Sequence, residues 1–248
     1  MRTFHKFSYR DADYRICSNN LDLVTDEIIK QREILEKYIL TNPEFLKSLS
    51  PLPSLAEFAP KIAKRMQKAG LFTDVGPMAA VAGTIAQLGV ESCTARAKGY
   101  NSNQSEAIVE NGGDIFMVLK KELILGIHSG VKALEEKLAF RIQPDMTPLA
   151  VCSSSSTMGH SLSLGDCNLA TVFAKSAALA DAGATKACNM VKKEEDIQKA
   201  LNTISVIPGI SGLLIIKGEK IGIAGEIPEI VSNADPDMMN KITRSNRM

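Results

Sequence analysis

The 248-residue sequence contains no tryptophan, and aromatic residues make up only 5% of it. A surface on which nucleic-acid bases stack needs aromatic side chains, so such a surface is not expected. The charges nearly cancel, with a formal net charge of +1, whereas proteins that bind polyanions usually show a clustered basic excess. We therefore expect no nucleic-acid partner.

Cysteine spacing and apolar runs exclude further classes of protein. The five cysteines include no Cys-x-x-Cys pair, so neither a disulfide framework nor a thiolate zinc site is expected. The most apolar stretch, residues 204–216, is interrupted by one proline and two glycines and is too short to span a bilayer. The first ten residues are followed by no apolar run, so no signal peptide is expected. These features predict a cytoplasmic protein with reduced thiols and no membrane partner.

The hydrophobic content of 45% is sufficient for one large domain over residues 1–248, or for two interlocked lobes, with a polar tail at 233–248. Alternating and apolar runs predict strands at 107–110, 115–119, 123–127, 138–142, 148–152 and 169–174. Capping residues and apolar periodicity predict helices at 25–40, 60–69, 176–191 and 194–204. After Asp74, the segment 74–89 has no further charged side chain and is rich in small residues, which is typical of a buried helix that other backbone or a ligand approaches closely.

The predicted helix 176–191 carries a single ionisable side chain, Asp181, in its alanine-rich first half. Thr185 lies one turn later on the same face. A buried carboxylate must be compensated, and Mg²⁺ takes carboxylate and other oxygen ligands. Gly183, which weakens the helix, suggests a close approach at this turn. Two interpretations remain open: a metal site, or an aspartate bonded to a backbone N–H with Thr185 bonded back to the Asp181 carbonyl.

A run of hydroxyl side chains follows the predicted strand 148–152. Small hydroxyls and free N–H groups after a strand can cradle a phosphate, and His160 can position or protonate a phosphoryl oxygen. The alternative is a flexible polar loop, in which serine runs are common. The candidate phosphate ligands are Ser153, Ser154, Ser155, Ser156 and Thr157.

The segment Asn111-Gly112-Gly113-Asp114 lies between two predicted strands. Two glycines in that position are typical of a hairpin turn. A glycine backbone also allows a planar or phosphorylated ligand to press against it. Both interpretations remain open.

Three of these segments, in this order, resemble the ApbE family of flavin transferases. The family stretch D-x-G-x-x-A-K-G-x-A is similar to DVGPMAAVAG at 74–83. Its N-x-G-G-D turn is similar to ENGGD at 110–114, and its V-x-A-x-x-A-x-x-A-D-A-x-x-T segment to VFAKSAALADAGAT at 172–185. The resemblance covers residues 70–190 and implies an α+β fold of mixed, mainly antiparallel sheets packed with helices.

The resemblance also implies a function and a site. Members of the family bind FAD with Mg²⁺ and transfer FMN onto a threonine of a target protein, and some hydrolyse FAD to FMN and AMP. The implied Mg²⁺ ligands are Asp181, Thr185 and the carbonyl of Ala79, and His160 is the candidate acid or base. The candidate flavin or nucleotide contacts are Asp74, Gly76, Asn111, Gly112, Gly113, Asp114 and the hydroxyl run 153–157.

The sequence departs from the family at two places. Ala80 stands where the family has lysine, and the family's H-I-I-D-P-x-T-G segment is missing. Two functions therefore remain open. One is Mg²⁺-dependent cleavage or transfer at the pyrophosphate of a flavin dinucleotide, with a protein target. The other is a non-catalytic protein that binds or handles a flavin or nucleotide on the same scaffold. For either function we also consider a homo-oligomer.

Overall fold

The computed structural model describes residues 2–94, 105–131, 134, 138–156 and 165–233. Two predicted site residues, Thr157 and His160, lie outside the described residues, as does most of the predicted polar tail. Every pair of neighbouring strands in the described part of the chain is antiparallel.

The described strands form two sheets. The larger sheet has the order β1-β2-β3-β4-β7-β8-β9-β10, and the smaller has the order β11-β6-β5. In chain order the strands are β1 His5–Tyr9, β2 Ala12–Ser18, β3 Ala107–Asn111, β4 Asp114–Val118, β5 Leu123–Gly126, β6 Leu138–Ile142, β7 Leu149–Ser154, β8 Leu169–Ala174, β9 Ile210–Lys217, β10 Lys220–Gly225 and β11 Glu229–Ser232.

The described helices pack on one face of the larger sheet. They are α1 Leu21–Thr41, α2 Pro43–Lys47, α3 Lys61–Thr73, α4 Val81–Thr94, α5 Ala177–Met190 and α6 Asp196–Ile204. A 3-10 turn, Pro77–Ala80, leads directly into α4. The smaller sheet covers the opposite face, so the larger sheet separates two apolar cores. This architecture confirms the predicted α+β class.

Strand β7 shows how the two cores follow from local alternation. Successive strand side chains point to opposite faces of a sheet. Ala150 and Cys152 accordingly belong to the core under the helices, whereas Leu149 and Val151 belong to the core under the smaller sheet. The strand continues to Ser154. The prediction that a loop begins at residue 153 is therefore wrong, because strand pairing with β8 extends through Ser154.

The end of α3 also differs from the prediction, which ended this helix at residue 69, just before Gly70. The helix continues to Thr73 and ends at Asp74, which has a left-handed φ of 56°. A Cβ atom at Gly70 would lie 2.6 Å from the carbonyl oxygen of Val75. Glycine is therefore needed there because the chain turns back against the helix, and not because the helix stops.

No single helix in the described ranges is long and apolar enough to cross a membrane. Lys61–Thr73 and Pro77–Thr94 pass such a test only when taken together, and a bend of 105° separates them.

Candidate functional site

Helix α5 lies along β7 and runs in the same direction. At its start the Cys152 thiol lies 3.7 Å from the carbonyl oxygen of Ala177, and near its end the Ser156 hydroxyl lies 3.3 Å from the Cys188 thiol. Between these contacts the strand advances about 13 Å and the helix about 16 Å. The backbone of Ser154 and Ser155 is therefore level with the turn of α5 that carries Asp181.

Asp181 belongs to α5, but its side chain caps the N-terminus of α4. Its Oδ2 accepts a hydrogen bond of 2.8 Å from the backbone N–H of Gly83, in the first turn of α4. The first N–H groups of a helix lack intrahelical acceptors, and the N-terminus carries a partial positive charge. Of the two interpretations left open for Asp181, the bond to a backbone N–H is therefore present. It engages one carboxylate oxygen.

Thr185 does not make the bond that the same interpretation requires. Four helical threonines in this chain donate to the carbonyl four residues earlier, at 2.5 to 3.0 Å: Thr73, Thr84, Thr94 and Thr203. Within the described residues no such bond ties the Thr185 hydroxyl to the Asp181 carbonyl. Thr185 is half-buried, so its hydroxyl is available to a ligand on the Asp181 side of the helix.

Ala79 lies in the 3-10 turn, which packs against α5. Its N–H donates to the Gly76 carbonyl at 3.1 Å. In a continuous helix the N–H of Gly83 would donate to the carbonyl of Ala79, four residues earlier. Because that N–H is directed at Asp181, the Ala79 carbonyl is left outside the helical hydrogen-bond pattern.

The β3–β4 hairpin brings a second polar pair to the same helix. Gly112 and Gly113 have φ values of 63° and 102°, which explains glycine at both turn positions. A Cβ atom on either would meet nothing within 4 Å, so space also remains for a ligand. Asn111 donates from Nδ2 to the carbonyl of Ala82 at 3.1 Å and thereby holds the first turn of α4 from the sheet side.

Asp114 is the buried acid of that hairpin, with 7% of its surface exposed. The Cys152 thiol and the backbone N–H of Ser153 lie close enough to its carboxyl group to lower its pKa. Its Oδ1 atom is buried and has no hydrogen-bond partner. A buried acceptor that is left unpaired is rare in folded proteins and costs free energy.

Burial and mutual repulsion set the protonation of the two acids. Burial raises the pKa of Asp181 to about 7, against the opposing effect of the N–H groups of Gly83 and Ala82. Burial raises the pKa of Asp114 well above its ordinary value, and the charge of Asp181 raises it further. Asp181 therefore ionises first. Burial also raises the pKa of Cys152, as do both carboxylates, so this thiol stays neutral.

The hydroxyl run divides between the two faces of the sheet. Ser153 pairs with Thr171 through their hydroxyls at 2.8 Å, on the face that α5 does not cover. Ser154 and Ser155 are buried, and Ser154 points to the helix face. Ser156 accepts a bond of 3.0 Å from the Cys167 N–H. The structure thus brings Ser154 toward Asp181 and turns Ser153 away.

The residues at the end of α3 lie at the edge of the site. Asp74 has an exposed carboxylate that pairs with Lys186 Nζ at 2.7 Å, which ties α3 to the turn of α5 that follows Thr185. A Cβ atom at Gly76 would lie 1.9 Å from the Ser48 carbonyl oxygen. The chain's own backbone therefore requires this glycine.

Gly183 has a similar explanation. A Cβ atom there would lie 3.2 Å from Cδ1 of Ile210, on the sheet side of α5. The close approach that its sequence context suggested is therefore made by a core side chain.

Sequence reasoning missed two residues of the site, Gly83 and Cys152. Gly83 lies within the small-residue stretch and supplies the N–H that Asp181 accepts. Cys152 immediately precedes the hydroxyl run and contacts Asp114. No signal in the sequence joins either of them to its partner, because each contact crosses between elements distant in the chain.

Replacing Gly83 with alanine should lower the free energy of unfolding by about 1–3 kcal/mol, as overpacking commonly does. The new Cβ atom would lie 2.6 Å from the Ala177 carbonyl oxygen and 3.0 Å from Asp181 Cβ, so α4 and α5 must separate. Urea denaturation measures the change.

Gly89→Ala is the matched control in the same helix. Its Cβ atom would lie 3.3 Å from side-chain atoms of Val24 and Ile28, which can shift. Helix propensity would then offset the contact, leaving stability within about 1 kcal/mol of the wild type. Equal stability of the two variants would contradict the close α4–α5 packing.

Comparisons with known proteins agree with this architecture. The family model described as AbpE bacteria matches residues 10–206. A UPF0280 protein of Methanocaldococcus jannaschii is 41% identical over 209 residues, 82% of each chain. One of Methanosarcina barkeri is 36% identical over 228 residues, 90% of this chain and 87% of the relative.

Solved structures show the same fold at low identity. The ApbE protein of Thermotoga maritima superposes with a TM-score of 0.55 and 12% identity, covering 98% of this chain and all of that one. The flavinyl transferase ApbE of Pseudomonas stutzeri, in its apo form, gives a TM-score of 0.54 and 11% identity, covering 96% of both chains. The resemblance stated from the sequence is thus confirmed: this chain belongs to the UPF0280 family, matches the AbpE bacteria model and has the fold of the ApbE proteins.

Proposed function

We propose that this protein binds FAD or a related flavin dinucleotide together with Mg²⁺ and cleaves or transfers at its pyrophosphate. The observation that carries the proposal is the buried Asp181 carboxylate on α5, which lies at the start of α4. Asp181, the Thr185 hydroxyl and the Ala79 carbonyl would hold the cation. One or two carboxylates with further oxygen donors are what Mg²⁺ prefers.

The residues present fit such an ion on two grounds. The Thr185 hydroxyl is not used in the bond that four other helical threonines of this chain make. The buried Oδ1 of Asp114 lacks a partner next to the ionisable Asp181. When bound, Mg²⁺ would polarise a phosphoryl oxygen and neutralise the charge that develops on it.

The chain's own residues would bind and orient the dinucleotide. The open side of the Gly112–Gly113 turn offers room for a flat or phosphorylated group, and Ser154 and Ser155 would contact its phosphates. In hydrolysis, a water oxygen bonds to phosphorus while the pyrophosphate P–O bond breaks, giving FMN and AMP. In transfer, a hydroxyl oxygen of a target protein takes the place of water. His160 stays our candidate for moving the proton.

The same-fold structures named flavin transferases support the flavin as ligand. The five cysteines are buried thiols that form no disulfide, and we retain a cytoplasmic location on that basis, since reduced thiols persist there.

A non-catalytic flavin- or nucleotide-binding function is the second candidate, and Ala80 favours it. Ala80 occupies the place of the family's lysine and is fully buried, so its methyl group offers no charge to a phosphate. Such a protein would bind the same ligand through the same oxygens but release it unchanged.

Incubation with FAD and Mg²⁺, followed by chromatography for FMN and AMP, separates the two candidates. A parallel thermal-shift screen with FAD, FMN, ATP and deazaflavins reports binding without turnover. We expect FAD to raise the melting temperature only when Mg²⁺ is present, and FMN and AMP to accumulate. Binding without products would favour the second candidate, and no shift with any of these ligands would contradict both.

A further inference from the structure

Asp114 stands apart from the other buried polar groups of the site because one of its oxygens is unused. The Cys152 thiol and the Ser153 N–H lie near its carboxyl group and lower its pKa. Oδ1 nevertheless has no partner, although it is buried. A buried carboxyl oxygen without a donor is rare in folded proteins, and a bound cation would satisfy it.

The lack of a basic group near Asp114 and Asp181 also favours a bound cation. The groups that shift the pKa of Asp181 are burial and two backbone N–H groups. The main groups that shift the pKa of Asp114 are Asp181, Cys152, Ser153 and Glu110. In the described part of the chain, no lysine, arginine or histidine is among them. Two buried carboxylates without a basic partner are very costly, and a divalent cation would balance both charges.

We propose that Asp114 is the second carboxylate ligand of the cation, bound directly through Oδ1. This inference rests on the proposed function and extends its ligand set, since the resemblance implied only Asp181, Thr185 and the Ala79 carbonyl. Two carboxylates make the site neutral when a divalent ion is bound. They also leave coordination positions for water and a phosphate oxygen.

Measuring the affinity of the protein for Mn²⁺ tests the inference, and it does not require the protein to be an active enzyme. Free Mn²⁺ is measured by electron paramagnetic resonance during titration of the intact protein. Asp114→Asn keeps the shape of the side chain and removes its charge, and we expect it to lower the affinity at least tenfold, since even indirect partners of a metal site commonly contribute that much. Its melting temperature without metal should not fall.

Glu110→Gln is the matched control. Glu110 precedes Asn111 on β3 and therefore points to the opposite face of the sheet, where it lies 3.9 Å from Arg15. Removing its charge should change Mn²⁺ affinity less than about twofold, the level expected for a screened charge.

The outcomes separate this inference from the function on which it rests. If the wild type binds no Mn²⁺, the proposed function fails and the inference with it. If Asp181→Asn loses binding while Asp114→Asn matches Glu110→Gln, the function stands and the inference is overturned. If Asp114→Asn does not fold, a crystal of the wild type soaked in Mn²⁺ decides. An ion about 2.1 Å from Asp114 Oδ1 supports direct ligation, and an ion that contacts Asp181 alone overturns it.

Discussion

Asp181→Asn should lower the affinity of the protein for Mg²⁺ about 100-fold or more. Loss of an indirect partner of a metal ligand commonly reduces affinity 10- to 100-fold, and Asp181 is proposed as a direct ligand that ionises ahead of Asp114. The asparagine can still accept the Gly83 N–H at the start of α4. The loss of Mg²⁺ affinity would therefore result from the missing negative charge and not from a missing helix cap. Calorimetric titration with Mg²⁺ and with FAD measures it.

The same substitution should stabilise the protein when no metal is present. At pH 8 the wild type must keep an ionised, buried carboxylate whose pKa is raised to about 7, and asparagine removes that requirement. A higher melting temperature joined to weaker Mg²⁺ binding is the pattern of a side chain retained for a ligand.

Asp166→Asn, which removes an exposed partner of Lys217, should leave Mg²⁺ affinity unchanged. Loss of stability together with unchanged Mg²⁺ affinity in Asp181→Asn would make Asp181 a helix cap alone.

Lowering the pH from 7 to 5 should weaken Mg²⁺ binding by about tenfold per pH unit, because one proton must leave for the ion to bind. The pKa of Asp181 is about 7 in the folded protein, so below that pH the proton competes with the cation. Asp114, whose pKa is raised further by Asp181, can steepen this dependence.

Stability without metal should show the opposite trend. Asp181 has a higher pKa in the folded than in the unfolded chain, where the ordinary value of 3.8 applies. Between these values the folded state holds one more proton, so the free energy of unfolding falls as pH rises, by up to about 1.4 kcal/mol per unit. Urea denaturation across pH 4.5–7.5 measures the slope. Asp181→Asn should flatten it, and an equal slope in both proteins would refute this assignment of the proton.

Most of the elements could be predicted because their signals are local. The alternation that predicts β3, β4 and β8 depends on neighbours two residues apart, and the caps of α5 lie within one turn of its ends. The predictions failed where a tertiary contact decided the boundary. Strand β7 continues past residue 152 because β8 pairs with it, and α3 continues past Gly70 because that glycine accommodates a returning chain.

Some features of the candidate site could likewise be predicted from local patterns, whereas others depend on tertiary contacts. The spacing of Asp181 and Thr185 places both on one face of α5, and the turn Gly112–Gly113 follows from its residue types. Neither pattern reveals that Asp181 caps α4, because the N–H that it accepts lies 98 residues earlier. Nor does a pattern show that Ser153 points away from the site, which depends on the exact end of the strand.

By itself, the sequence determined the types of most helices and strands, the hairpin glycines and the acid–hydroxyl face of α5. These depend on backbone preferences and periodicities that act over a few residues. Only the tertiary structure decided that Asp181 lies close enough to Asp114 to raise its pKa, that Gly83 supplies the bond between two helices, and that Asp114 keeps an unpartnered oxygen. Desolvation and charge repulsion depend on which distant segments pack together, and no local pattern carries that information.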